Sequence, residues 1–231
     1  MAKSKACTIW TIVLIILFCS NYMLLGCGRS ALGQPSVIYS ISLPNPAQQR
    51  ITVQARLRGF QAGALDLVML QQWAGYAGLG NQLTSLQIGS LHRFSSKPDS
   101  ISASDLGLPQ DVIRWRIQMP RSGALDLEYS LDLANRDGAV PSRVWNDHAL
   151  LLTRSLFIFP ADWLKKPLAP LQGSVKVVVQ APENWSVYVP WPLTSGRSEY
   201  LPKTIEDMVD SVLALGRYEG YEMRDETFRA R

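Results

Sequence analysis

From Ser36 onward, apolar and polar residues alternate in short runs separated by proline, glycine and asparagine. "VIYSISL" sets Val37, Tyr39, Ile41 and Leu43 against Ile38, Ser40 and Ser42. A period of two belongs to a strand with one buried face. "PNP" stops this run, and "RITVQARLRGF" resumes the pattern with Ile51, Val53, Ala55 and Leu57, which predicts an opening antiparallel pair. "ALDLVML" is a third strand. The glycine-rich "WAGYAGLG" after it reads as a loop carrying Trp73 and Tyr76, and "LTSLQIGSLHRFSS" as one or two further strands. "SKPDSISASD" reads as an exposed loop. "DVIRWRIQM" alternates with Ile113, Trp115 and Ile117 on one side and Arg114 and Arg116 on the other, and "GALDLEYSLDL" follows as another strand.

In the second half, "HALLLTRSLFIF", "GSVKVVVQAP" and "WSVYVPWP" each have the length of a strand. Only "TIEDMVDSVLALG" has helical spacing: Ile205, Met208, Val209, Val212 and Leu213 line one stripe, with Thr204 placed as N-cap and Asp207 at the third helical position. Many short strands with turn signals between them predict an all-β fold, an antiparallel β-sandwich, rather than alternating strands and helices. The expected organisation is a signal or anchor over residues 1–26, a linker over 27–36, the sandwich over 37–200, and a short C-terminal helix with a charged tail over 201–231.

The first residues change the picture most. Lys3 and Lys5 precede an uncharged stretch from Ala6 to Gly28 centred on "TIWTIVLIILF", the form of an export signal or an anchor. Leu24, Leu25 and Gly26 before Cys27 resemble a bacterial lipobox, which implies lipidation of the Cys27 thiol. "ALG" at residues 31–33 also suits ordinary signal cleavage, and the uncharged stretch is long enough to stay as a spanning helix. Each alternative places the rest of the chain on the extracytoplasmic side of the cell envelope, with a membrane as partner in the two tethered forms. Cys7 and Cys19 fall in the same segment, so beyond Cys27 no disulfide, zinc-thiolate site or thiol nucleophile is available.

Composition narrows the partners. A chain of 231 residues with 47% apolar and 18% charged residues is globular, and a formal charge of +4 without a basic run argues against nucleic acid. His92 and His148, the only histidines, lie 56 positions apart, a spacing that does not suggest a metal site. Neither "GSV" at Gly173 nor "TSGRS" at Thr194 forms a nucleophile elbow. Asp147 and His148, in "VWNDHALLLTRSLFIFP", read as a turn feeding a core strand, with His148 on its solvent side. The aromatics Trp73, Tyr76, Trp185, Tyr188 and Trp191 are the candidates for a binding surface for a peptide or a sugar ring, although Trp185 and Tyr188 must face opposite ways on a strand. No metal, cofactor or catalytic residue is expected.

The order of "YSISLPNPAQQRITVQARL", "IRWRIQMPRSGALDLEYSLDL", "DHALLLTRSLFIFP", "VKVVVQAPENWSVYVP" and "IEDMVDSVLALGRYEGYEM" resembles the N-terminal β-domain of the glycyl aminopeptidases, the PDZ-bearing zinc exopeptidases of metallopeptidase family sixty-one. The family's "M-P-x-W-x-P-G-S-Y" after the third strand is replaced here by "MLQQWAGYAGLG". Catalysis in that family needs a helical H-E-x-x-H to hold zinc and activate water, and this sequence contains none. The N-terminal segment, the missing zinc motif and the resemblance together predict a non-catalytic, membrane-tethered β-sandwich that recognises an envelope protein or a peptide substrate. Two alternatives stand beside it: the front part of a split or truncated zinc aminopeptidase, and a carbohydrate-binding lipoprotein.

Overall fold

A computed structural model describes residues 35–89, 92–93, 99–101, 111–119, 121–134, 142–171, 174–194 and 198–218. The chain opens with β1 (Ser36–Ser42) and β2 (Arg50–Phe60), then β3 (Gly63–Leu70), the short pair β4 (Gln72–Trp73) and β5 (Tyr76–Ala77), and β6 (Leu83–Ile88). It continues with β7 (His92–Arg93), β8 (Asp99–Ile101), β9 (Val112–Met119) and β10 (Gly123–Asp132). The second half holds β11 (Arg143–Val144), β12 (His148–Leu152), β13 (Phe159–Pro160), helix α1 (Ala161–Leu164), β14 (Val175–Gln180), β15 (Ser186–Tyr188), β16 (Glu199–Tyr200), helix α2 (Ile205–Val209) and β17 (Val212–Gly216).

Among the described residues these strands form a seven-stranded sheet, β16-β14-β1-β2-β10-β6-β7, and two four-stranded sheets, β13-β3-β9-β8 and β11-β12-β17-β15. The all-β, mainly antiparallel reading holds, with one exception: β1 pairs in parallel with β14, Val37 opposite Val175. The alternation read from the sequence is the packing pattern. Val37, Tyr39 and Ile41 on β1, Val53 and Leu57 on β2, and Leu127 and Tyr129 on β10 are buried, and they share one apolar core with the inward residues of both four-stranded sheets. Each such aliphatic side chain contributes roughly 1.5–3 kcal/mol by leaving water.

Two tyrosines fasten the layers. Tyr39 Oη donates to the Ile158 carbonyl at 2.9 Å, and Tyr129 Oη donates to the Leu156 carbonyl at 2.7 Å while accepting from the Ile158 amide at 3.2 Å. Phe157, between these contacts, meets the Tyr39 ring edge-on at 4.7 Å. The segment they clamp differs from the single strand expected of "HALLLTRSLFIF". β12 ends at Leu152, a 3-10 turn over Thr153–Ser155 redirects the chain, and Leu156 to Phe159 run fully buried until β13 joins β3 with Phe159 opposite Val68. One apolar run thus carries the chain from one four-stranded sheet to the other.

Three further expectations are corrected. The stretch "WAGYAGLG" is not an open loop at its start: Trp73 pairs with Tyr76 across a two-residue turn whose residues Ala74 and Gly75 have φ of 46° and 88°. Positive φ at both positions is what a tight hairpin requires. Within "SKPDSISASD", Asp99–Ile101 pairs with β9 as an edge strand. The C-terminal helix begins as expected, Thr204 Oγ1 accepting from the Asp207 amide at 2.9 Å, but it ends at Val209. The amide of Ser211 donates to Thr153 Oγ1 at 3.0 Å and its carbonyl accepts from the Thr153 amide at 3.0 Å, which turns the chain into β17. Leu213 and Leu215 then point into the core between β12 and β15.

Candidate functional site

The turn from β11 to β12 brings an acid, an imidazole and an indole into contact. The Trp145 amide donates to the His148 carbonyl at 2.8 Å, closing a four-residue turn over Trp145, Asn146, Asp147 and His148. Inside it, His148 Nδ1 lies 2.7 Å from Asp147 Oδ1, and the Trp145 ring stacks on the imidazole at 4.3 Å and 13°. The hydrogen bond with His148 is the main cause holding the Asp147 carboxyl below the usual carboxylate range, with Arg217 adding a smaller pull. Gly216 fits against this turn because a Cβ there would sit 2.7 Å from the His148 Cβ.

An acid orienting an imidazole is two-thirds of a hydrolytic triad, and a nucleophile within hydrogen-bond reach would complete it. The backbone of the turn has a structural contact of its own: the Asp147 carbonyl accepts from the Arg217 amide at 3.1 Å, tying the turn to β17. His92 lies in β7 of the seven-stranded sheet, while His148 starts β12 in a four-stranded one. Among the described residues, no three His, Cys, Asp or Glu side chains gather to hold a metal ion.

The aromatics divide. Trp185 and Trp191 are buried at 9% and 3% exposure, which removes them from any surface platform. Trp191 Nε1 donates to the Asp207 carbonyl and to Ser211 Oγ, both at 3.1 Å, so its polar edge is satisfied inside the core where α2 meets β17. Tyr76 is exposed in its hairpin, where Trp73 is its backbone partner. Tyr188 is half exposed and meets Tyr218 edge-on at 5.5 Å. Trp185 lies just before β15 and is buried, whereas Tyr188 ends that strand and is exposed. Tyr218 and Trp145, exposed near Tyr188 and His148 respectively, were not singled out in the sequence, because neither belongs to a periodic run.

On the outer face of the seven-stranded sheet lies a groove of about 380 Å³ lined by Ile38, Ser40, Gln54, Arg56, Asp126 and Glu128 among others. Its charges answer one another: Arg56 Nε donates to Asp126 Oδ1 at 2.8 Å, and Gln54 Nε2 donates to Glu128 Oε2 at 3.0 Å. These are cross-strand pairs set by register, Arg56 opposite Asp126 and Gln54 opposite Glu128.

Residues 38–217 match the family model described as Peptidase M61 N-terminal domain. The chain belongs to that family. This peptidase N-terminal domain also shares its fold with an aminopeptidase N family protein from Idiomarina loihiensis, at 14% identity and a TM-score of 0.56 over 78% of this chain and 29% of that one. An M1 zinc metallopeptidase from Deinococcus radiodurans aligns over 78% of this chain and 41% of its own length, at 12% identity and a TM-score of 0.34. The domain thus spans under half the length of these solved structures. No curated protein matches it. Among the described residues no helix is long and apolar enough to cross a membrane. Cys27, the candidate lipidation site, lies outside the described residues.

Proposed function

We propose that this peptidase N-terminal domain is a non-catalytic recognition module, held at the extracytoplasmic side of the cell envelope by a lipid on Cys27 and acting through contact with a protein or peptide. The observation that carries the reading is the match to a peptidase N-terminal domain over residues 38–217, a range that takes in nearly all of the described β-fold. The tether is supported by the charged start, the uncharged stretch and "LLGC" in the sequence.

Two measurements test it. The purified chain, incubated with glycyl and alanyl p-nitroanilides with and without zinc, should give no turnover; turnover that survives repurification and disappears with a chelator would overturn the non-catalytic role. Mass analysis of the N-terminal peptide from envelope membranes should show a diacylglyceryl group on Cys27. Intact residues upstream of Cys27 would replace the lipid with a retained anchor.

A second reading, the front part of a split zinc aminopeptidase, is favoured by the 29% coverage of the aminopeptidase N family protein. It requires a separate catalytic polypeptide whose peptidase activity rises when this domain is added.

A further inference from the structure

The chain enters the β-fold at Ser36, the first residue of β1, and Cys27 stands nine positions earlier. Nine residues span about 30 Å at full extension, and the only charged residue from 28 to 35 is Arg29. A lipid on Cys27 therefore keeps the start of β1 within that reach of the bilayer. The other end of β1 lies roughly 20 Å further along the strand.

Several turns meet at the start of β1. Ser36 is opposite Arg58 on β2, and Phe60 is opposite Gly123, two residues after Arg121. The Val37 amide donates to the Ser174 carbonyl at 2.7 Å, the Ser174 amide to the Leu171 carbonyl at 2.8 Å, and the Leu171 amide to the Lys203 carbonyl at 2.8 Å. These bonds bring the loop after α1 and the approach to α2 to the same end of the domain. The Glu206 amide donates to the Pro167 carbonyl at 3.0 Å, which holds Leu168 beside them, and Trp163 lies against Phe60 with ring centroids 6.4 Å apart.

Leu168 is 69% exposed, the most of any large hydrophobic side chain among the described residues. One exposed leucine needs no explanation by itself. Its surroundings supply one. Arg58, Arg121, Lys166 and Lys203 are exposed and form no ion pair among the described residues. On the sheet surfaces, by contrast, Arg56 and Arg116 are each matched by a carboxylate. At this end only Lys165 is matched, by Asp162 at 2.7 Å, and Asp207 Oδ2 already accepts from the Lys203 amide at 3.0 Å. Unpaired cations around an aliphatic side chain suit a surface of anionic headgroups: the charges meet phosphates while the leucine and the lysine stems reach the acyl boundary. An acidic protein would also answer the cations. The tether decides between them, because it presents the bilayer, and no other partner, at an effective concentration of about millimolar.

We propose that the end of the domain formed by Arg58, Arg121, Lys166, Leu168 and Lys203 rests on an anionic lipid bilayer, with Leu168 as its apolar contact. This rests on the Cys27 tether proposed above and adds the face and the charge of the lipid.

The test reconstitutes the full chain, extracted from envelope membranes, into vesicles of brominated phosphatidylcholine with or without phosphatidylglycerol. A fluorescent amino acid replaces Leu168 or, as a control in the exposed turn beyond β1, Gln48. Flotation after an alkaline wash reads the tether, and quenching by bromine reads the face. Position 168 should be quenched in the vesicles with phosphatidylglycerol and position 48 should not. Lys166→Gln should move the ratio of quenched to unquenched emission about fivefold toward unquenched, the effect of one basic residue at an anionic surface, and high salt should act in the same direction. A chain that floats with position 168 unquenched, or with positions 48 and 168 quenched alike, would overturn the face and leave the tether standing. Quenching at 168 that is equal without phosphatidylglycerol would overturn the role of the cations. A chain that does not float would overturn the tether, and the face would fall with it unless position 168 is still quenched in the unwashed mixture.

Discussion

Across β2 and β10 the outward positions pair Gln54 with Glu128 and Arg56 with Asp126; across β12, β17 and β15 they set Leu150 opposite Ala214 and Ala214 opposite Tyr188. The inward positions of the same strands are indistinguishable in kind: Val53, Leu57, Leu127 and Tyr129 on one side, Ala149, Leu151, Leu213 and Leu215 on the other, all buried. Inward residues answer to the shared core, so they are similar everywhere. Outward residues answer to whatever lies outside. On the seven-stranded sheet that is water, and the side chains pair with one another. On the four-stranded sheet the aliphatic choice costs solvation without a covering layer among the described residues.

If that contrast is right, truncation inside the core should be equally damaging on both sides. Leu213→Ala and Leu127→Ala should each cost about 2–5 kcal/mol in urea denaturation. A cost under about 1 kcal/mol for Leu213→Ala alone would mean that the four-stranded sheet does not share the core's cooperativity.

The tyrosine clamp gives a pH signature. Burial, more than any neighbour, pushes both Tyr39 and Tyr129 well above the ordinary tyrosine value. In the unfolded chain they ionise near about pH 10. Their contribution is therefore complete below that pH and is lost above it, where the unfolded state releases protons that the folded state retains. Stability should fall with rising pH beyond about 10, and Tyr39→Phe with Tyr129→Phe should flatten that fall while costing roughly 1–3 kcal/mol at neutral pH, through the carbonyls of Ile158 and Leu156 left without their donors.

Gly216→Ala comes next. The new Cβ would meet the His148 Cβ at 2.7 Å and the Asp147 carbonyl at 3.0 Å. Pushing β12 from β17 should cost about 1–3 kcal/mol and red-shift the Trp145 emission as its stack on His148 opens.

Surface changes should be smaller and should separate the two faces. Leu150→Lys and Val212→Lys should leave stability within about 0.5 kcal/mol yet reduce the binding of an apolar fluorescent dye, whereas Gln54→Lys should change neither. Arg56→Ala should have the smallest effect, a slight loss of thermal stability at low salt that vanishes at high salt, because its pair with Asp126 is exposed and screened.

Much of this was legible in the chain because strand periodicity is written locally. The faces of "VIYSISL", "IRWRIQM" and "GALDLEYSLDL" follow from the pleat alone, and the cap at Thr204 from its hydroxyl three residues before the Asp207 amide. The turn reading of Asp147 and His148 also followed from local chemistry, since Asn and Asp before an apolar run favour a turn. The aromatics were not legible in this way. Trp185 and Trp191 look like Tyr76 and Tyr188 in sequence, and only packing separates the buried pair from the exposed one.

By itself the sequence determined an all-β domain, the inward face of each long strand and the start of α2, because those depend on neighbours within a few residues. Tertiary structure decided the rest. "MVDSVLALG" satisfies both a helical stripe and an alternation through Leu213 and Leu215, and the hydrogen bonds of Ser211 to Thr153 and the vacant place between β12 and β15 select the strand. That selection also brings Leu150, Val212 and Tyr188, distant in sequence, onto one surface. A surface assembled from three separate strands has no local pattern to announce it.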